Sequence, residues 1–145
     1  MLLNHQQIAA RIPHAGSMCL LHGVLAWDAH SISTKATSHR DHDNPLRNPQ
    51  GLGVVAGIEY AAQSIAVHGS LLSGSQTPRP GRLVSARNIR AGVRWLHLLE
   101  DELLIQAQKI LGDDAGLVYD FQIASASKTV LTGRASIALL SAARS

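Results

Sequence analysis

Gly53-Val54-Val55-Ala56-Gly57-Ile58-Glu59-Tyr60-Ala61-Ala62-Gln63-Ser64-Ile65-Ala66-Val67-His68-Gly69 decides how the rest of the chain is read. Apolar residues fall on nearly every side of it, and the run predicts a helix of about 16 residues. A helix apolar all round is normally buried at the centre of a domain. Glu59 breaks the pattern in the second turn. A carboxylate in apolar surroundings is paired, hydrogen-bonded or protonated. Gln63 follows four residues later on the same face, placed to hydrogen-bond Glu59 and fix its orientation. An acid with a raised pKa is what general acid–base chemistry requires. A carboxylate that merely reaches a subunit interface or a surface gap is the other reading, and the helix alone leaves both open.

The 145 residues suffice for one domain, 1–145, with a real core. Charged residues make up only 16%, against 46% apolar, which suggests a surface partly covered by another subunit. Aromatics are 3%, too few for a platform that stacks single-stranded nucleic acid. The net charge of +3 comes from scattered basic residues without a Lys/Arg run, so no nucleic-acid groove is indicated. The single cysteine, Cys19, fits a reducing cytosol and reads as a small core residue. The start, Met1-Leu2-Leu3-Asn4-His5-Gln6, lacks the pattern of a secretory signal. No apolar run approaches the roughly 20 residues that span a bilayer. A cytoplasmic protein without membrane partners is expected.

Outward from the helix, the chain reads as follows. Asn4–Arg11 is a short helix with Asn4 as its N-cap, ended by Ile12-Pro13. Pro13–Ser17 is a turn-rich corner. Met18–Trp27 and Ser31–Ser38 form a hairpin about the turn Asp28-Ala29-His30, with Ile32, Thr34, Ala36 and Ser38 on one side. His39–Gly53 is a polar loop of about 15 residues, a length that usually signals function or disorder. After the helix, Gly74-Ser75 opens a second loop that contains Pro78 and Pro80. Strands follow at Arg82–Ala91, Glu102–Leu111, Gly116–Ser125 and Lys128–Leu140, with a break around Gly92–Asp101. Gly112-Asp113-Asp114 and Ala126-Ser127 are the hairpin connections. An antiparallel sheet of about five to six strands must then wrap one central helix, an α+β arrangement.

These residues resemble a known family. Ile12-Pro13-His14-Ala15-Gly16-Ser17-Met18, Asn44-Pro45-Leu46-Arg47 and Gly57-Ile58-Glu59-Tyr60-Ala61-Ala62-Gln63 resemble the hotdog-fold 3-hydroxyacyl-[acyl-carrier-protein] dehydratases, and most closely the ApeP-like branch. That branch accompanies aryl-polyene and related fatty-acid or polyketide clusters. The resemblance implies a hotdog fold and dehydration of a 3-hydroxyacyl thioester to the trans-2-enoyl thioester. It implies acyl carrier protein, with its phosphopantetheine-linked acyl chain, as partner. It further implies a dimer of hotdog subunits, a homodimer or a heterodimer; no cofactor and no metal are expected from the residues. In the family a histidine takes the C2 proton and the helix acid, from the opposite subunit, protonates the departing hydroxyl. Backbone N–H groups at the helix N-terminus polarise the carbonyl. Carried over, Glu59 is the acid, Gln63 the supporting amide, and the N–H of Val54 or Val55 faces the carbonyl. The family's histidine lies about 14 residues before the acid, where this chain has Pro45. His39 and His42 are the candidates, and His39 is preferred because it leaves a strand end, which is more rigid than mid-loop. The departure keeps open a noncatalytic subunit that completes a partner's site. An acyl-thioester hydrolase of the same fold is the other alternative.

Other groupings weigh less. His39-Arg40-Asp41-His42-Asp43 offers metal-ligand types but fixes no geometry. His68, His14 and His22 read as structural. Ser64 and Ser70 lack a nucleophile elbow. No Gly-rich phosphate loop exists. Arg82, Arg87, Arg90 and Arg94 are either a solvated sheet edge or a dock for an acidic carrier.

Overall fold

The computed structural model describes residues 1–12, 18–74 and 81–139. His14 and the rest of the Pro13–Ser17 corner lie outside these residues, as do the loop prolines Pro78 and Pro80. In chain order the elements are β1 (Leu3–Asn4), α1 (His5–Arg11), β2 (Gly23–Trp27), β3 (Ser31–Ala36), α2 (Gly57–Ser73), β4 (Gly81–Ala91), β5 (Leu103–Gly112), β6 (Gly116–Ser125) and β7 (Lys128–Leu139). The strands form one antiparallel sheet of seven in the order β1-β2-β3-β5-β6-β7-β4. The expected five to six strands rise to seven, because residues 3–4 pair with β2 as a two-residue edge. The single long helix against an antiparallel sheet is the α+β hotdog arrangement that the resemblance implies.

Local chemistry accounts for most element ends. Asn4 caps α1 as expected, its side chain accepting from Gln7 N–H at 3.0 Å while Gln7 returns the bond to Asn4 N–H at 2.9 Å. The Asp28 carboxylate accepts from the N–H groups of His30 and Ser31, both at 2.8 Å, and closes the β2–β3 turn. A 3-10 turn, Val54–Ala56, leads into α2, and Gly74 ends the helix in the left-handed region at φ 67°.

Period-two alternation builds the core. Ile32, Thr34 and Ala36 of β3, Leu103, Ile105 and Ala107 of β5, and Tyr119, Phe121 and Ile123 of β6 face α2. The helix answers with Tyr60, Ala61, Ser64, Ile65, Val67 and His68. Each fully buried Leu, Ile or Val contributes about 1.5–3 kcal/mol. One buried polar pair, Thr34 Oγ1 to Ser64 Oγ at 2.8 Å, ties β3 to the helix. Among the described residues the sheet ends on β4, eleven residues long and paired with β7 alone. Two register shifts and the positive φ of Asn88 bend this edge. Val84 and Ile89 stand exposed on it at 54% and 37%.

Candidate active site

α2 is not apolar-buried all round. Residues 55, 59, 62, 66, 69 and 73 are spaced four, three, four, three and four apart, which aligns them as one stripe along the helix. Val55, Glu59, Ala66 and Ser73 in this stripe are exposed. The expected burial of Glu59 is therefore not supplied by this chain. An apolar helix does not reveal which of its faces its own sheet covers, and here the sheet covers the opposite one. Beside the open stripe lies a cavity of about 830 Å³ between α2 and strands β4, β6 and β7. Glu59 and Gln63 line it, and most of its other walls are apolar.

Gln63 does not hold Glu59. Its Oε1 accepts from Leu20 N–H at 2.8 Å and its Nε2 donates to the Met18 carbonyl at 2.8 Å. Both ends of the amide are used to bind segment 18–20 to the helix, which leaves Gln63 a cavity wall and an anchor.

The two candidate backbone donors separate. Val54 N–H donates to the Arg94 carbonyl at 3.0 Å, so it is not free for a substrate. Among the described residues no acceptor meets Val55 N–H, and the Val55 side chain is 66% exposed. Among the described residues no side chain caps this end of the helix, which leaves its positive pole open at Val55. Val55 precedes Glu59 by four residues on the same stripe. One hydrogen-bond donor and one carboxylate thus share the open stripe, and the carboxylate lines the cavity.

The histidines lie elsewhere. His39, in a 3-10 turn at Ser38–Arg40, is fully buried. Its Nε2 lies 3.0 Å from the Leu99 carbonyl. A carbonyl only accepts, so Nε2 carries the proton. Among the described residues, Nδ1 meets no hydrogen-bond partner. Burial pushes the imidazole below the ordinary histidine range, with the Leu99 and Asp101 main chain pulling less strongly the other way. His39 is not among the residues that line the Glu59 cavity. His42 is exposed on the loop.

Segment 92–101, read from sequence only as a break, proves to be a strap over the 48–56 loop. Leu96 N–H donates to the Leu52 carbonyl at 2.8 Å, and Leu52 N–H donates to His97 Nδ1 at 3.0 Å. A second network went unread in the sequence. Asn44 Nδ2 donates to Tyr60 Oη at 3.1 Å, Tyr60 Oη meets Ser38 Oγ at 2.8 Å, and Ser38 Oγ donates to the Leu20 carbonyl at 2.7 Å. Tyr60 adjoins Glu59, so this chain of bonds fixes the helix start against the loop.

Cys19 is buried beside the Leu21 carbonyl, as a structural thiol would be. Of the arginines, Arg82, Arg87 and Arg90 lie on the edge strand β4 and are exposed. The outer face of the sheet carries a polar groove of about 690 Å³ that contains the Arg134–Asp120 ion pair at 2.7 Å. That carboxylate is already matched by its arginine and lies on the sheet face away from the helix. The acid–base candidates therefore concentrate at α2.

A family model matches this chain over residues 6–143, that of the ApeP-like family, ApeP dehydratase. The chain belongs to the ApeP-like dehydratase family. No curated protein sequence matches it. Among solved structures it is similar to the dehydratase heterocomplex ApeI:P from Xenorhabdus doucetiae, at 24% identity and TM-score 0.80, covering 92% of this chain and 91% of that one. It is also similar to the thioesterase PA1618 from Pseudomonas aeruginosa, at 16% identity and TM-score 0.61, covering 97% and 96%. The E. coli PaaI protein from the phenylacetic acid degradation operon gives 16% and 0.61, covering 92% and 95%. At these identities the structural neighbours establish the hotdog fold. Among the described residues no helix is long and apolar enough to cross a membrane, and no three His, Cys, Asp or Glu side chains converge on a metal position.

Proposed function

We propose that this chain supplies the acid half of a two-subunit dehydratase site acting on a 3-hydroxyacyl thioester of acyl carrier protein. One observation carries the reading. Glu59 and Val55 N–H stand together on the uncovered stripe of α2, while the chain's own His39 ring is sealed beneath the strap.

In this reading a second hotdog subunit covers the Glu59 end of the stripe and extends the sheet from edge strand β4. Its cover supplies apolar surroundings to the Glu59 side chain. The base is a histidine of that subunit's loop, since Pro45 occupies the corresponding position here. The heterocomplex of the ApeI:P relative supports a partner of a different sequence. The base takes the C2 proton, the electron pair forms the C2–C3 double bond, and the C3 hydroxyl departs as water with the proton of Glu59. Val55 N–H, at the positive end of the helix, stabilises the charge that builds on the thioester oxygen. The exposed arginines of β4 suit an acidic carrier protein.

Mass spectrometry of a 3-hydroxyacyl carrier substrate tests this. The isolated chain is expected to leave it unchanged, and the complex with its partner subunit to remove one water. Loss of the whole acyl group would point to thioester hydrolysis, and turnover by the isolated chain would refute the shared site.

A further inference from the structure

The cavity continues from Glu59 along the helix, past Ala66 and Gly69, with Leu83, Tyr119 and Ile137 opposite. Gly69 lies inside α2, where glycine weakens a helix. It is not among the residues with positive φ. A Cβ built there would meet nothing within 4 Å. Neither backbone conformation nor internal packing of the described residues accounts for this glycine, and its effect is to leave open space in the cavity.

The opposite wall is rigid. Tyr119 and His68 are fully buried. His68 Nε2 faces the Asp28 carbonyl at 2.8 Å and therefore carries the proton. Its Nδ1 accepts from the Tyr119 hydroxyl at 2.5 Å. That bond holds Tyr119, one of the residues that line the cavity, against the helix.

We propose that Gly69, facing the Tyr119 wall, sets the length of acyl chain the site accepts. The inference rests on the dehydratase reading above. A space with two walls from one chain, a lining that is mostly apolar but includes Arg82 and Lys109, and an acid on its wall suits a narrow flexible chain with its reacting group at one end. Ten residues separate Glu59 from Gly69, about 15 Å along the axis. An extended carbon chain advances about 1.3 Å per carbon, given bonds of about 1.5 Å. Position 69 therefore meets the chain about 12 carbons from the reacting centre.

The test compares the assembled enzyme with its Gly69→Leu form on 3-hydroxyacyl carrier substrates of about 6 and about 16 carbons. The ratio of long-chain to short-chain kcat/KM is expected to fall at least about tenfold. An unchanged ratio overturns the proposal, as does loss of subunit association, which would make the space a protein contact. Displacement of a fluorescent long-chain acyl-pantetheine thioester is measured in parallel. If the unaltered complex dehydrates neither substrate, the dehydratase reading fails. Selective loss of long-chain binding in Gly69→Leu then still upholds the length assignment, and unchanged binding overturns it.

Discussion

Replacing His39 separates a structural histidine from a catalytic base. The ring is fully buried and donates from Nε2 to the Leu99 carbonyl at 3.0 Å. Leucine in its place removes that donor and leaves the carbonyl without its partner. The lost bond costs about 1 kcal/mol and an orphaned buried acceptor about 1–3 kcal/mol. Removing Nδ1, itself without a partner among the described residues, returns part of this. The net is about 2 kcal/mol, or a fall in Tm of about 4–8 °C for a chain of this size. Glutamine is the informative companion, because its amide nitrogen can occupy the Nε2 position and donate to Leu99. His39→Gln should recover most of the lost Tm and keep dehydration in the assembled enzyme within severalfold. Neither substitute can act as a base near neutral pH. If His39 were the base, both variants would lose about 10²–10⁴-fold in rate whatever their stability. Differential scanning calorimetry and turnover of the complex decide it. Unchanged Tm with collapsed turnover in both variants would refute the reasoning.

The remaining predictions concern stability. His39 and His68 are both fully buried, and burial lowers the affinity of each for a proton. Their folded pKa values lie below the unfolded value near 6.5, so between the two the unfolded chain binds more protons. Their contribution is complete above about pH 6.5 and is lost as pH falls toward the folded values, by up to about 1.4 kcal/mol per pH unit for each ring. Melting curves between about pH 7.5 and 5.5 should show Tm dropping, and a flat profile would count against it. Gly51 has φ of 127°, and an added Cβ would fall 2.1 Å from the His97 ring. Gly51→Ala should cost about 2 kcal/mol or more and loosen the strap, read as faster amide exchange at Leu52 and Leu96; unchanged exchange and Tm would contradict it.

The central helix was legible from its long apolar run, and the four long strands that follow it from their alternation. The pair Leu3–Asn4 was not, since two residues cannot display alternation. The position of Glu59 on α2 was legible, its surroundings were not. An all-apolar helix looks the same whether its last face is covered by its own sheet or by another molecule. The His39 contact was hidden for a different reason. Its place just after an alternating run reads as a strand end, whereas β3 stops at Ala36 and His39 lies in the 3-10 turn beyond it, with its partner Leu99 60 residues away in a segment without periodicity. Val54 and Val55 were indistinguishable for the same reason, because the Arg94 carbonyl that engages one of them comes from that strap. Spacing pairs Gln63 with its helical neighbour Glu59, while its amide is used across the chain by Met18 and Leu20.

The measurement closest to the central claim is turnover of the two-subunit complex carrying Glu59→Gln in this chain. Glu59 is exposed in the single chain, so the substitution should shift stability by no more than about 0.5 kcal/mol. Subunit association and substrate binding are expected to persist, while release of water from the 3-hydroxyacyl substrate falls by about 10²–10⁴-fold. Full dehydration by the Glu59→Gln complex would contradict the account.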